Sequence, residues 1–155
     1  MMAAGTPDYY RGVDVAYQAL AQMIVRPKYG GAVQVSGNTA VSANGVTLLA
    51  SISGKGVIYG GSVWLDFTSS QANAEIMMKL DGAFIFSQSF LRMKDYSILN
   101  PRSSIITLNK FDGTNFIYSA GLSYGITFES ALDLGYNEQQ GDTPTVHFNV
   151  VYALI

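Results

Sequence analysis

Ile126-Thr-Phe-Glu-Ser-Ala-Leu-Asp-Leu-Gly-Tyr136 and Thr145-Val-His-Phe-Asn-Val-Val-Tyr-Ala-Leu154 decide the fold class. In the first stretch Ile126, Phe128, Leu132, Leu134 and Tyr136 share one face, and Thr127, Glu129, Asp133 and Gly135 share the other. In the second, Val146, Phe148, Val150, Tyr152 and Leu154 oppose Thr145, His147, Asn149 and Val151. A period of two over such lengths marks half-buried β-strands. The run between them, residues 137–144, is polar and holds Gly141 and Pro144, which reads as a loop. The two stretches are therefore expected to form a β-hairpin on which the other strands pack.

Working outward, strands are expected at residues 46–52 and 57–67, the second with Val57, Tyr59, Val63, Leu65 and Phe67 on one face. Gly60-Gly61 inside it predicts a bulge or bend. Val33 and Val35 suit a short edge strand. Residues 75–87 read as a hairpin, because Asp81-Gly82 suits a type I′ turn, whose two central residues need positive φ. Simple counting across that turn sets Leu80 against Ala83, Lys79 against Phe84, Met78 against Ile85 and Met77 against Phe86. Met77, Phe84 and Phe86 would then lie on a face that needs cover. Residues 91–102 read as a connection. Asp112-Gly113 repeats the hairpin chemistry between strands at 104–111 and 116–123. About eight strands with turn signals roughly every 8–12 residues predict an all-β, antiparallel, jelly-roll-like sandwich.

Residues 1–35 differ from the rest. Val13, Ala16, Tyr17, Leu20, Ala21 and Ile24 recur at helical spacing before Arg26-Pro27, which favours a short amphipathic helix in an N-terminal arm, although Val13, Val15 and Tyr17 also alternate as a strand would. The sandwich is expected over residues 36–155. Tyr9, Tyr10, Tyr17, Leu20 and Ile24 are candidate interface residues, together with Met77, Phe84 and Phe86, since Tyr and Met are enriched where proteins meet. The arm is expected to contact another polypeptide more than its own sandwich.

Composition narrows the function. There is no cysteine, which excludes disulfides and thiolate metal sites. Charged residues make up 13% and hydrophobic residues 48%, against roughly 25% charged in an ordinary domain. With a mean hydropathy of +0.19, so neutral a surface suits coverage by other subunits. The nine basic residues are scattered and the net charge is −2, so no nucleic-acid footprint is expected. Apolar runs are far shorter than the ~20 residues that span a bilayer, and the first residues lack the pattern of a signal peptide.

Catalytic and ligand motifs are sparse. His147 is the single histidine and reads as an ordinary strand residue. Glu129 and Asp133 on one continuous strand would stand about 13 Å apart, beyond the roughly 5–9.5 Å of glycosidase carboxylate pairs. Asp112-Gly-Thr-Asn115 is dense in oxygen ligands but reads as a turn. Gly54, Gly56, Gly60 and Gly61 lack the Lys-Ser/Thr and helix start of a phosphate loop. Trp64 is expected in the core, although Trp64 and Tyr59 are also the candidates for a sugar-stacking face. No catalytic residue, cofactor or metal is expected, and the chain reads as a non-enzyme.

Leu48-Leu-Ala-Ser-Ile-Ser-Gly-Lys-Gly-Val-Ile-Tyr-Gly-Gly61, Leu80-Asp-Gly82, Tyr124-Gly-Ile-Thr-Phe-Glu-Ser-Ala-Leu132 and Val150-Val-Tyr-Ala-Leu154 together resemble small β-sandwich proteins of tailed-bacteriophage virions. Such proteins are head decoration, head-fibre or tail components. The resemblance spans about two thirds of the chain and implies a homo-oligomeric structural role in a virion, with capsid decoration or cementing as the first reading. Its partners would be other copies of itself and other virion proteins. The alternative is a tail or fibre component, or a carbohydrate- or receptor-binding module.

Overall fold

A computed structural model describes residues 31–100 and 104–155. The expected arm helix, and with it Tyr9, Tyr10, Tyr17, Leu20 and Ile24, lies outside the described residues. Among the described residues there are ten strands and one short helix: β1 (Val33–Ala40), β2 (Val46–Ser53), β3 (Gly56–Asp66), β4 (Glu75–Leu80), β5 (Ala83–Ser89), α1 (Phe90–Asp95), β6 (Ile106–Asp112), β7 (Ile117–Leu122), β8 (Ile126–Phe128), β9 (Ala131–Asn137) and β10 (Thr145–Leu154). They form two antiparallel sheets. Sheet A runs β1-β10-β3-β7-β6, with β8 also on β3, and sheet B runs β2-β9-β4-β5.

This is a jelly roll. Apart from β4–β5 in sheet B and β6–β7–β8 in sheet A, successive strands cross from sheet to sheet, and β1-β10-β3-β7 faces β2-β9-β4-β5 in the order of two nested Greek keys. The strand beside β3 is split into β7 and β8, and β6 is added beyond β7. That accounts for ten strands where about eight were expected.

The expected C-terminal hairpin does not form. β9 lies in sheet B between β2 and β4, whereas β10 lies in sheet A between β1 and β3. Even the first quoted stretch is two strands, β8 in sheet A and β9 in sheet B, with a corner at Glu129-Ser130. The face assignment nonetheless holds. Phe128, Leu132, Leu134, Tyr136, Val146, Phe148 and Val150 all enter one core, and Ile126, Tyr152 and Leu154 pack against it. Both sheets turn their apolar faces to the same centre, so alternation survives a corner of two residues and reveals nothing about strand pairing.

Bulges correct two other expectations. Gly60 (φ 151°) and Gly61 do mark one: Val151 pairs Gly60 while Tyr152 pairs Ile58, so Tyr59 is the extra residue. The bulge flips the pleat, sending Ile58 inward with Val63 and Leu65 and leaving Tyr59 outside. In the β4–β5 hairpin Asp81 (φ 52°) and Gly82 (φ 82°) take the expected positive φ. Ile85 is then an extra residue, so Met78 faces Phe86 and Met77 faces Ser87. Phe86 consequently packs against the core.

Two turns also differ. Residues 91–102 contain most of α1, capped by Ser89, whose Oγ accepts the Arg92 N–H at 3.2 Å. Its Phe90 and Met93 are buried, and Phe90 meets Tyr118 at 5.3 Å between ring centres. At β6–β7 the left-handed residue is Phe116 (φ 56°) rather than Gly113. The Asp112 carboxylate organises that loop by accepting from Thr114 N–H, Asn115 N–H and Asn115 Nδ2.

The core leaves little slack around β3. A Cβ on Gly56 would stand 2.4 Å from the Ala153 carbonyl oxygen and 2.9 Å from the Phe128 ring. Gly56→Ala is expected to destabilise by about 1–3 kcal/mol through overpacking. Phe128→Ala is expected to cost about 3–5 kcal/mol through the cavity it leaves. Urea unfolding of both variants checks this.

Candidate functional site

The outer face of sheet B carries the principal candidate. Val46 and Leu48 of β2, Gly135 of β9 and Met77 and Phe84 of the β4–β5 hairpin line a groove of about 260 Å³, with Lys79 and Asp133 at its margin. Alternation explains the placement. Thr47, Leu134 and Tyr136 point inward, so Val46, Leu48 and Gly135 point out. A bulge at Leu49 then returns Ala50 and Ile52 to the core side. Gly135 forms the floor: it is buried, and a Cβ there would sit in ordinary van der Waals contact with the Thr47 carbonyl oxygen at 3.6 Å and with Met77 and Val46 at 3.9 Å, so a small side chain meets no clash.

The walls are exposed, Val46 by 61%, Leu48 by 55% and Phe84 by 59%. The polar residues around them are engaged with one another. Asp133 accepts from Ser51 Oγ at 2.6 Å, Lys79 Nζ sits 4.2 Å from the centre of the Phe84 ring, and Glu75 accepts from Ser87 Oγ at 3.0 Å. An apolar floor within a polar rim is the anatomy of a protein interface. Of the interface residues expected in the described part, Met77 and Phe84 stand here and Phe86 does not. Val46 and Leu48 were missed, because their strand reads as wholly buried until its neighbours and its bulge are known.

A second surface lies on the outer face of sheet A. Trp64, expected in the core, is 39% exposed there and stacks on His147 of β10, with ring centres 5.6 Å apart and planes inclined by 13°. Alternation causes this, since Trp64 lies between the inward-facing Val63 and Leu65; the Tyr59 bulge instead brings Ile58 to the inward side. Ser62 and Asn149 hydrogen-bond beside the pair at 3.1 Å.

The remaining polar clusters are structural. Gln71 is fully buried; it accepts the Tyr136 hydroxyl at 3.1 Å and donates to Asp142 at 3.0 Å, and Ser69 also donates to Asp142. Burial holds the Tyr136 hydroxyl far above its ordinary pKa, so it stays neutral. Asp142, the carboxylate nearest His147 in sequence, is thus turned to Ser69 and Gln71. Glu129 and Asp133 do not share a strand face: Glu129 sits in the corner, 2.7 Å from Lys55 Nζ, and Asp133 is on β9. Among the described residues no group of three or more His, Asp or Glu is placed to hold a metal, and every buried side-chain N or O has a hydrogen-bond partner. No described helix is long and apolar enough to cross a membrane.

Two carboxylates hold the corners that carry these faces. Asp81, in the β4–β5 turn, accepts from the N–H groups of Glu129, Ser130 and Ala131 and from Ser130 Oγ. The backbone donors, Glu129 first, lower its pKa to about 2 from 3.8. Burial pushes Glu138 upward, but the N–H groups of Asn44, Gln140, Gly141 and Asp142 outweigh it and hold that carboxyl below its usual value.

Comparisons with known proteins add little. No family model matches the chain, and no curated protein matches. Among solved structures, a complex of the Aeromonas sobria serine protease with its chaperone ORF2 aligns over 86% of this chain and 29% of that one, at 10% identity and a TM-score of 0.37. The chain spans less than a third of that protein's length, and a likeness so remote carries no argument.

The Asp81 clamp has a pH signature. A carboxyl whose pKa is depressed on folding stabilises above its unfolded value and loses that contribution as pH falls through the folded one. Stability should therefore decline between about pH 4 and pH 2. Asp81→Asn keeps a side chain that tolerates positive φ but removes the charge. Its urea midpoint should be lower than wild type at pH 6, with a smaller decline over the acid window.

Proposed function

We propose that the chain is a non-enzymatic structural subunit of a bacteriophage particle, assembling with copies of itself and with other virion proteins, as capsid decoration or cement. The observation that carries the assembly reading is the open apolar groove around Gly135. Val46, Leu48, Met77 and Phe84 leave it lined with side chains that a free monomer has no reason to expose together. The low charge of the chain supports the same reading. So does the fold class, since jelly rolls recur in viral capsid proteins, although a fold alone never fixes a function. The virion itself rests on the resemblance of the strand and turn motifs.

A second reading, a carbohydrate- or receptor-binding module, is favoured by one observation: Trp64 presents an aromatic surface beside the hydroxyl of Ser62 and the amide of Asn149. Jelly rolls recur in lectins as well.

Gly135→Leu fills the groove without removing an atom, and Phe84→Ser removes its most exposed ring. Both are expected to keep the monomer within about 1 kcal/mol of wild type while preventing incorporation into particles, as read by fractionating purified virions. Absence of the wild-type chain from intact virions rejects the virion reading. For the second reading, Trp64→Ala should weaken any ligand found on a glycan array by about tenfold, and an array with no binder removes it.

A further inference from the structure

Among the described residues five strands have a strand partner on one side only: β1, β6 and β8 in sheet A and β2 and β5 in sheet B, of which β8, with three residues, is too short to template another strand. An unpaired edge invites another strand, and proteins blunt edges with bulges, charges or proline. Three of these edges are blunted. The register slips at Leu49 in β2, at Ile85 in β5 and at Asn109 in β6, and β6 also carries Lys110 and Asp112.

β1 has no such device. Val33-Gln-Val-Ser-Gly-Asn-Thr-Ala40 pairs with β10 over eight residues without a slip, and it contains neither charge nor proline. Among the described residues β10 is its only strand partner. About half of its backbone N–H and C=O groups therefore point away from the sheet.

We infer that β1 is a dimerisation edge, which adds the β1 of a second copy in antiparallel register and joins two A sheets into one. The sequence of the edge favours a copy of itself. Val35, Gly37 and Thr39 stand opposite Val150, Phe148 and Val146 and so face inward, while Gln34, Ser36 and Asn38 face out. A twofold axis at Ser36 or Gly37 keeps inward residues against inward residues. It sets Gln34 against Asn38, or Ser36 against Asn38, and each of these side chains both donates and accepts. The edge is also neutral. β10 behind it bears no Asp, Glu, Lys or Arg, so two copies meet without like-charge repulsion, and a charged foreign strand would find no counter-charge. An eight-residue ladder is smaller than a standard interface of about 1,600 Å², so the dimer should dissociate in the micromolar range. This edge is separate from the sheet B groove, and either surface can fail a test without the other.

The absence of cysteine makes the test direct. Directly opposed residues of an antiparallel pair have Cα atoms about 4.5–5.5 Å apart, within disulfide reach. Full-length Ser36→Cys under mild oxidation should give a disulfide dimer if the axis is at Ser36. An equimolar mixture of Ser36→Cys and Asn38→Cys should give the mixed dimer if the axis is at Gly37. Asn109→Cys on the bulged β6 edge should stay monomeric. In sedimentation velocity the wild-type chain should show a concentration-dependent monomer–dimer equilibrium, which Ser36→Lys combined with Asn38→Lys weakens at least tenfold. A wild-type chain that remains monomeric at several hundred micromolar overturns the inference. So does a dimer indifferent to the two lysines, or capture of Ser36→Cys by a Tyr17→Cys chain in place of β1, which would assign the edge to the N-terminal arm.

Discussion

Crossing between sheets imposes a cost that strands do not carry. A strand inside a sheet has its N–H groups satisfied by neighbours, but at each corner a few residues leave one ladder before joining the next, and unpaired backbone donors are expensive. Two side chains answer this. Asp81 takes up the donors of the corner between β8 and β9, and its own N–H donates to the Ala131 carbonyl at 2.9 Å. Glu138 takes up Asn44, Gln140 and Gly141, tying the β1–β2 connection to the β9–β10 connection. An anionic acceptor suits both places, since charge-assisted bonds are shorter and stronger than neutral ones. Asp81 also fills a type I′ turn position, so one residue closes a hairpin and anchors a corner 48 residues downstream.

The bulges then decide what each sheet shows to the outside. An extra residue reverses the alternation beyond it. At Tyr59 this brings Ile58 into the core with Val63 and Leu65 and leaves Tyr59 outside. At Leu49 it puts Leu48 on the groove while Ala50 and Ile52 stay inside. At Ile85 it divides the hairpin between Phe84 outside and Phe86 inside. The outer faces are products of register as much as of composition.

Composition fits the resulting surfaces. Few charges are present, and the only ion pair among the described residues, Lys55 with Glu129, is exposed and contributes little. The neutral β1 edge, the apolar groove and the Trp64–His147 stack are the surface features this composition leaves exposed. The buried polar groups, by contrast, are spent on the fold, with Tyr136, Gln71 and Asp142 satisfying one another.

The sequence by itself determined that the chain is all-β, which residues of β9 and β10 face the core, and that Asp81-Gly82 turns a hairpin, because side-chain period and turn φ are local properties. It also marked a bulge at Gly60-Gly61 and suggested Met77 and Phe84 as uncovered. Tertiary structure alone decided that β9 and β10 belong to different sheets, since a polar eight-residue run serves equally as hairpin loop or crossover. It alone decided that Ile58 and Phe86 are inside, because each depends on an extra residue whose partner strand must be known. The groove around Gly135 was illegible for the same reason: its walls come from β2, β4 and β5, and only the sheet order β2-β9-β4-β5 brings them to either side of one glycine.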